Sequence, residues 1–181
     1  GDVLPKKPTA IALTFGMNDT RYMEYLQPGA DEMAAKAVQT SFESYQQIEK
    51  KLKALPSVRK ILMSSSPYDE TTKGKGNYYP GKSKAMLKVA EFQEAAAKKN
   101  NWAFVDFNRP MTAINQQFQQ NDSTFTICGG DRIHPGQDGH MVMAYIFLKA
   151  QGFANKEVAD VVVDAQQKKI QRVANRAVSN L

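Results

Sequence analysis

The chain has 181 residues, of which 42% are hydrophobic and 23% are charged, so it carries enough apolar material for one domain with a buried core. No run reaches the roughly 18 apolar residues of a membrane-spanning helix. The single cysteine, Cys128, excludes an internal disulfide and a zinc site made of cysteines. The net charge of +6 is compatible with a nucleic-acid partner, but the lysines are dispersed as on an ordinary solvated surface, and no nucleic acid is expected.

Strands and helices alternate in the first 150 residues, as judged from apolar periodicity and from the positions of glycine and proline. The predicted strands are residues 9–15, 58–63 and 102–107, and the predicted helices are residues 31–55, 83–100, 111–118 and 138–150. This order predicts a mainly parallel sheet with helices on both faces. The last helix is apolar on almost all sides, from Met141 to Leu148, so we expect it to be buried.

The C-terminal region, residues 155–181, is compatible with two different structures. Its valines and alanines have a spacing that fits a helix. However, Val161-Val162-Val163, followed by Ile170 and Val173, fits two short strands equally well. Periodicity does not separate the two, and both stay open.

Two polar clusters lie where parallel strands are expected to end, which is where open α/β sheets bind ligands. The first is Gly16-Met17-Asn18-Asp19, directly after the first predicted strand. The second is Asp131-Arg132-Ile133-His134-Pro135-Gly136, just before the last predicted helix.

These clusters contain the residue types that acyl transfer requires. Asp131 and His134 are three residues apart in a turn-prone loop, so the carboxylate can accept a hydrogen bond from Nδ1 of the imidazole and leave Nε2 free as a base. Asn18 offers a neutral amide donor for a developing oxyanion. A base, its orienting carboxylate and an oxyanion donor together indicate acyl transfer.

Both clusters resemble conserved blocks of the SGNH (GDSL) hydrolase superfamily. Phe15-Gly-Met-Asn-Asp19 resembles the third block, G-x-N-D, and Asp131-Arg-Ile-His134 resembles the fifth block, D-x-x-H. The order and spacing are also similar, and the resemblance spans roughly residues 1–150. It implies a three-layer α/β/α, flavodoxin-like fold with a mainly parallel sheet, and the hydrolysis of esters.

The resemblance also implies roles for individual residues. His134 would be the general base, Asp131 its orienting partner, Asn18 an oxyanion donor, and Gly16 the residue that allows the backbone approach at that turn. Asp19 would brace the loop. The expected partner is a small ester, for example an acylated sugar or lipid, without a metal or other cofactor.

The superfamily further suggests how the chain is organised and where it acts. Residues 1–152 are assigned to the hydrolase domain, and residues 153–181 to a tail that continues from it. Related hydrolases are frequently secreted or periplasmic in bacteria, although no signal peptide is visible in this sequence.

The nucleophile block is where this sequence departs from the superfamily. The nucleophilic serine belongs to an N-terminal G-D-S block, whereas Gly1-Asp2-Val3 has valine at the serine position and precedes the wrong strand. We therefore expect the serine and the first strand of the fold to lie upstream of residue 1, and residues 1–181 alone to be inactive. The alternative is a non-catalytic module of the same fold that binds a glycan or another small ligand.

Each candidate residue also has a structural interpretation. His134 is compatible with a capping or core histidine, and Asp131 and Asn18 are compatible with ordinary turn residues. A metal site formed by Asp131, His134, Asp138 and His140 is a further alternative, but the rest of the sequence adds no ligand to it. We interpret His140 as structural.

Three other features are interpreted as structural although their residue types are reactive. Ser64-Ser65-Ser66 ends a predicted strand but lacks the G-x-S-x-G pattern. The Lys73-Gly-Lys-Gly segment lacks the phosphate-loop pattern and is expected to be a mobile surface loop. Cys128 could pair with a histidine as a nucleophile, but a buried small residue is its expected role.

Overall fold

The computed structural model describes residues 2–157 and 159–174. The chain divides into two compact units, residues 1–147 and residues 148–181. No helix in the described part of the chain is both long enough and apolar enough to cross a bilayer.

The described residues form five strands and four α-helices. The strands are β1 (Ala10–Phe15), β2 (Arg59–Ser64), β3 (Ala103–Val105), β4 (Asp160–Asp164) and β5 (Lys169–Ala174). The helices are α1 (Ala30–Lys53), α2 (Lys82–Asn100), α3 (Asn108–Phe118) and α4 (Gln137–Ala150). All seven elements predicted for the first 150 residues are present, with ends shifted by three residues or fewer.

The first unit contains a parallel sheet in the order β1-β2-β3. Its register aligns Phe15 with Ser64 and Met63 with Val105, so the three strands end at one edge of the sheet. Long connections that contain helices join consecutive strands, as parallel pairing requires. The prediction of a parallel α/β architecture is confirmed.

Side chains alternate between the two faces of the sheet, and each face packs against a different pair of helices. On one face, α1 and α2 enclose a core of Tyr45, Leu52, Leu62, Ala96 and Ala97. On the other face, the core consists of Ile61, Val105, Phe107, Met111 and Ile127. Ile61 and Leu62 are adjacent on β2 and pack into opposite cores. The fold therefore has three layers, α/β/α. Burial of each such aliphatic side chain contributes about 1.5–3 kcal/mol.

The prediction that α4 is buried on all sides is wrong. One side packs against the second core through Val142, Met143, Ile146 and Phe147. On the other side, Met141 is 72% exposed and Tyr145 is 63% exposed. A helix in an outer layer meets the sheet with one side only, so an apolar composition all round does not imply burial all round.

The second unit contains an antiparallel hairpin of β4 and β5. Asp164 stabilises the turn because its Oδ1 accepts hydrogen bonds from two backbone amides of the turn. Of the two structures compatible with the sequence, residues 160–174 form the two strands. Residue 158 and residues 175–181 lie outside the described residues.

Candidate active site

The first predicted motif forms a tight loop at the carboxyl end of β1. Gly16 is buried and has φ +139°, a value that residues with a side chain rarely adopt, and a Cβ there would lie 3.4 Å from Val89 of α2. The amide and the hydroxyl of Thr20 donate to the Gly16 carbonyl at 3.2 and 3.0 Å, and the Arg21 amide donates to the Asn18 carbonyl at 3.1 Å. The loop therefore presents the exposed Asn18 side chain just beyond the strand.

Asp131 and His134 are hydrogen-bonded to each other within one turn. Oδ1 of Asp131 accepts the backbone amides of Ile133 and His134 at 3.0 and 2.9 Å, and Oδ2 lies 2.6 Å from Nδ1 of His134. The His134 side chain is 82% exposed, which contradicts its interpretation as a core histidine. Within the described part of the chain, Nε2 makes no hydrogen bond and is open to contact with solvent or a ligand.

Hydrogen bonds keep the Asp131 carboxyl ionised. Partial burial raises its pKa, but the hydrogen bond from the His134 side chain and those from the two backbone amides outweigh this effect and lower the pKa to about 2. The carboxylate is therefore charged at neutral pH and accepts a hydrogen bond from Nδ1–H of His134. A proton on Nδ1 leaves Nε2 as the unprotonated nitrogen of the neutral imidazole.

A carboxyl titration tests this arrangement directly. We expect His134→Ala to raise the pKa of Asp131 above about 2, because the side-chain hydrogen bond is lost, and to leave it below 3.8, because both backbone amides still donate. A ¹³C NMR titration of the carboxyl carbon measures both limits. An identical Asp131 pKa in the wild type and the variant would contradict the hydrogen bond.

The same pKa predicts a small pH dependence of stability. The folded-state pKa of about 2 lies below the unfolded value, so the ionised Asp131 stabilises the fold above the unfolded pKa of about 3.9. This contribution is lost as the pH falls through 2.

Arg132 anchors the Asp131–His134 turn to the loop that precedes α2. Arg132 is 6% exposed, and its guanidinium donates to the carbonyls of Asp69 and Gly74 at 3.3 and 3.0 Å. The Asp69 amide donates back to the Arg132 carbonyl at 3.0 Å. The part of this loop that is rich in glycine and lysine, for which the sequence predicts mobility, is therefore tied to the candidate site.

The two motif loops meet at one hydrophobic cluster. This cluster consists of Tyr25, Tyr68, Tyr79, Ala85 and Met86. Met17 and Tyr22, from the loop after β1, and Ile133, from the second motif, pack against it. The pKa of Tyr22 is raised by burial first, then by Tyr79, and then by the charge of Asp131. The structure thus brings together the two polar clusters that the sequence predicts at one edge of the sheet.

Lys82 is a buried cation that lies outside both sequence motifs. Its side chain is fully buried, and Nζ donates to the Met17 carbonyl, the Thr20 hydroxyl and the Arg21 carbonyl at 2.7, 2.8 and 2.5 Å. Desolvation by burial lowers its pKa to about 8. Because the chain has 24 lysines and arginines and Lys82 lies in no recognisable motif, the sequence carries no signal that distinguishes it.

Ser64 and Cys128 have structural roles, as the sequence indicates. The buried Ser64 hydroxyl accepts hydrogen bonds from the amides of Phe107 and Asn108, at 2.8 and 3.0 Å, where α3 begins. Cys128 is fully buried and receives a hydrogen bond from Asn115 at 3.4 Å. Burial raises the pKa of its thiol to about 11, so the thiolate that nucleophilic attack requires is scarce at neutral pH.

The alternative of a metal site receives no support from the geometry. Among the residues that the structure describes, no group of three or more histidine, cysteine, aspartate or glutamate side chains is placed to hold a metal ion. His140 lies in the first turn of α4, where its backbone amide donates to the Gly136 carbonyl at 2.9 Å.

The sequence model of the GDSL-like Lipase/Acylhydrolase family matches residues 1–142, which include both motifs. No curated protein sequence matches the chain significantly.

Solved structures similar to this chain include three enzymes. A gut microbial diltiazem-metabolizing enzyme, BT4096, is 46% identical with a TM-score of 0.86, over 99% of this chain and 41% of that chain. An acetylxylan esterase from Geobacillus stearothermophilus is 24% identical with a TM-score of 0.54, over 84% of this chain and 63% of that chain. An alpha/beta hydrolase enzyme from the metagenome of Lake Arreo, Spain, is 21% identical with a TM-score of 0.57, over 86% of this chain and 65% of that chain. The chain thus spans less than two thirds of each of these proteins, and the last two likenesses concern the fold alone.

Proposed function

The chain belongs to the GDSL-like lipase/acylhydrolase family, and we propose that it carries the acid–base part of an ester-hydrolase site. In this proposal His134 is the general base, Asp131 orients it, Asn18 donates to the oxyanion and Gly16 shapes the turn. One observation carries the proposal: Nδ1 of His134 lies 2.6 Å from a carboxylate of Asp131, in a turn that leaves the imidazole exposed. The substrate is a small ester, for example an acylated sugar or lipid.

The proposed reaction is acyl transfer through a serine, in two steps. Nε2 of His134 takes the serine hydroxyl proton as Oγ attacks the ester carbonyl carbon, and the Asp131 carboxylate stabilises the imidazolium that forms. The tetrahedral oxyanion accepts a hydrogen bond from Nδ2 of Asn18. The imidazolium then protonates the departing alcohol, and water, activated by the same base, releases the acid and restores the serine.

The unpaired edge of β1 supports the proposal that an upstream segment supplies the serine. Among the described residues, β1 pairs only with β2, so its other edge presents unpaired backbone amides and carbonyls. Such an edge is normally paired or protected in a folded protein. A further parallel strand along it would end beside Gly16 and the Asn18 loop, because parallel strands of one sheet end at the same edge. A serine that follows such a strand would come next to the oxyanion donor.

Expression of the complete reading frame in which this sequence occurs tests the proposal. We expect it to hydrolyse p-nitrophenyl acetate with an initial burst of p-nitrophenolate, and a fluorophosphonate probe to label one serine of a G-D-S segment upstream of residue 1. Residues 1–181 alone are expected to be inactive in the same assay.

Two results would overturn this proposal. One is a reading frame without an upstream serine of this kind, which would favour the non-catalytic, ligand-binding alternative. The other is ester hydrolysis by residues 1–181 alone at the rate of the complete protein, which would require a different nucleophile.

A further inference from the structure

We infer that Tyr22 is a positioning residue that orients the Asn18 amide toward the oxyanion, and that Lys82 holds Tyr22 and its loop in place. This inference rests on the proposed function, in which Nδ2 of Asn18 is the donor. It adds two residues that lie outside both sequence motifs.

The contact between Tyr22 and Asn18 determines which end of the amide is available. The Tyr22 hydroxyl donates to Oδ1 of Asn18 at 2.6 Å. An asparagine side chain presents an acceptor and a donor in nearly the same shape, and its terminal torsion is broad. A donor on Oδ1 fixes the carbonyl toward Tyr22 and leaves Nδ2 free. The reversed amide would direct Oδ1 at the oxyanion and would repel it.

Tyr22 is itself held by aromatic contacts and a cation. Its ring meets Tyr79 edge to face, with centroids 5.7 Å apart and an interplanar angle of 71°. Nζ of Lys82 lies 3.9 Å from the centroid of the Tyr22 ring. Burial, Tyr79 and Asp131 together raise the pKa of Tyr22, so the hydroxyl keeps its proton and acts as a donor near neutral pH.

Lys82 links this ring to the backbone of the same loop. Its ammonium makes hydrogen bonds to Met17, Thr20 and Arg21, which lie on both sides of Asn18 in the sequence. Three acceptors offset the cost of burying the charge. Arg21, whose carbonyl is one of them, has φ +66°, a conformation that persists only where surrounding contacts enforce it. Because Lys82 lies at the start of α2, it ties the exposed loop to a packed helix.

Side-chain relaxation tests the orienting contact in the complete protein, without any assay of activity. We expect Tyr22→Phe to increase the mobility of the Asn18 carboxamide, measured as a lower ¹⁵N order parameter of its NH₂ group, with little change elsewhere in the amide spectrum. Tyr45→Phe is the matched control, because the buried Tyr45 hydroxyl has no hydrogen-bond partner in the described part of the chain. It should leave Asn18 unchanged.

A double-mutant cycle in the complete protein tests the catalytic consequence. One oxyanion donor contributes about 100- to 1000-fold to kcat. A misoriented amide loses part of this, so we expect Tyr22→Phe to lower kcat about tenfold with little change in KM. In an Asn18→Ala background, Tyr22→Phe should have no further effect, because Tyr22 acts through Asn18.

Two results would overturn the inference. One is an Asn18 amide as ordered in Tyr22→Phe as in the wild type. The other is the same loss of kcat from Tyr22→Phe in both backgrounds. If the complete protein hydrolyses no ester, the proposed function fails, whereas the relaxation measurement still decides whether Tyr22 orients Asn18.

Discussion

Replacement of His134 by alanine is expected to lower the kcat of the complete protein for a small ester by about 10⁴-fold or more. The serine hydroxyl would lose the group that removes its proton, and the departing alcohol would lose its proton donor. Steady-state hydrolysis of p-nitrophenyl acetate measures the loss. KM should change less than kcat, since the imidazole acts on the reacting atoms rather than on the remote parts of the substrate.

His140→Ala is the matched control for this experiment. His140 is the second of the two histidines in the sequence, it is exposed, and it lies six residues further along the chain. It is expected to retain activity within about twofold of the wild type, as for a surface substitution away from the reacting groups. Comparable losses from both histidine variants, or full activity of His134→Ala, would contradict the assignment of the base.

Asp131→Asn tests the contribution of the orienting carboxylate, because the proposed base, His134, stays in place. The asparagine keeps an oxygen for the backbone amides of Ile133 and His134, so the turn is expected to persist. It removes the charge that, in the proposed mechanism, accepts a hydrogen bond from Nδ1–H and stabilises the imidazolium, and a loss of about 10⁴-fold in kcat is expected. The two losses should not add in the double variant, because the two residues act as one unit.

The layers of the fold could be predicted because the sequence signals are local and mutually consistent. Apolar runs that end at Gly16 or at Ser64 indicate strands, and the helical spacing in the segments that follow them predicts α1 and α2 with small errors at their ends. The first run also suggests a buried strand, which is wrong, because β1 is largely exposed and Phe15 is 44% exposed. The error on α4 has a different origin. The sequence shows that Met141 and Tyr145 are apolar. Whether another part of the protein covers them depends on the rest of the fold, and in the structure both are exposed.

The parts of the candidate site that could be predicted are those whose functional residues lie close together in the sequence. Asp131 and His134 are three residues apart, so their hydrogen bond follows from the turn that carries them. The contact between Lys82 and the loop after β1 joins residues more than 60 positions apart. Nothing in the spacing of lysines indicates which of them is buried, so that contact emerges only from the packing of α2 against the loop.

A large loss of stability is expected from substitution of Gly129, which precedes the Asp131–His134 turn. Gly129 has φ +76°, and a Cβ on it would overlap the carbonyl oxygen of His134. Alanine at this position is expected to lower the free energy of unfolding by about 2–5 kcal/mol, because it combines an unfavourable left-handed backbone with a clash that the turn must move to relieve. Urea unfolding measures the change.

Gly130→Ala supplies the matched control, because a Cβ on Gly130 would meet no atom within 4 Å. It should change stability by less than about 0.5 kcal/mol. Gly129→Asn separates the two causes at Gly129, since asparagine tolerates a left-handed backbone better than alanine but carries the same Cβ. If Gly129→Asn is as destabilised as Gly129→Ala, the clash with the His134 carbonyl dominates. Equal stability of Gly129→Ala and Gly130→Ala would contradict the close approach of residue 129 to the His134 carbonyl. It would also remove the structural reason for a glycine at position 129.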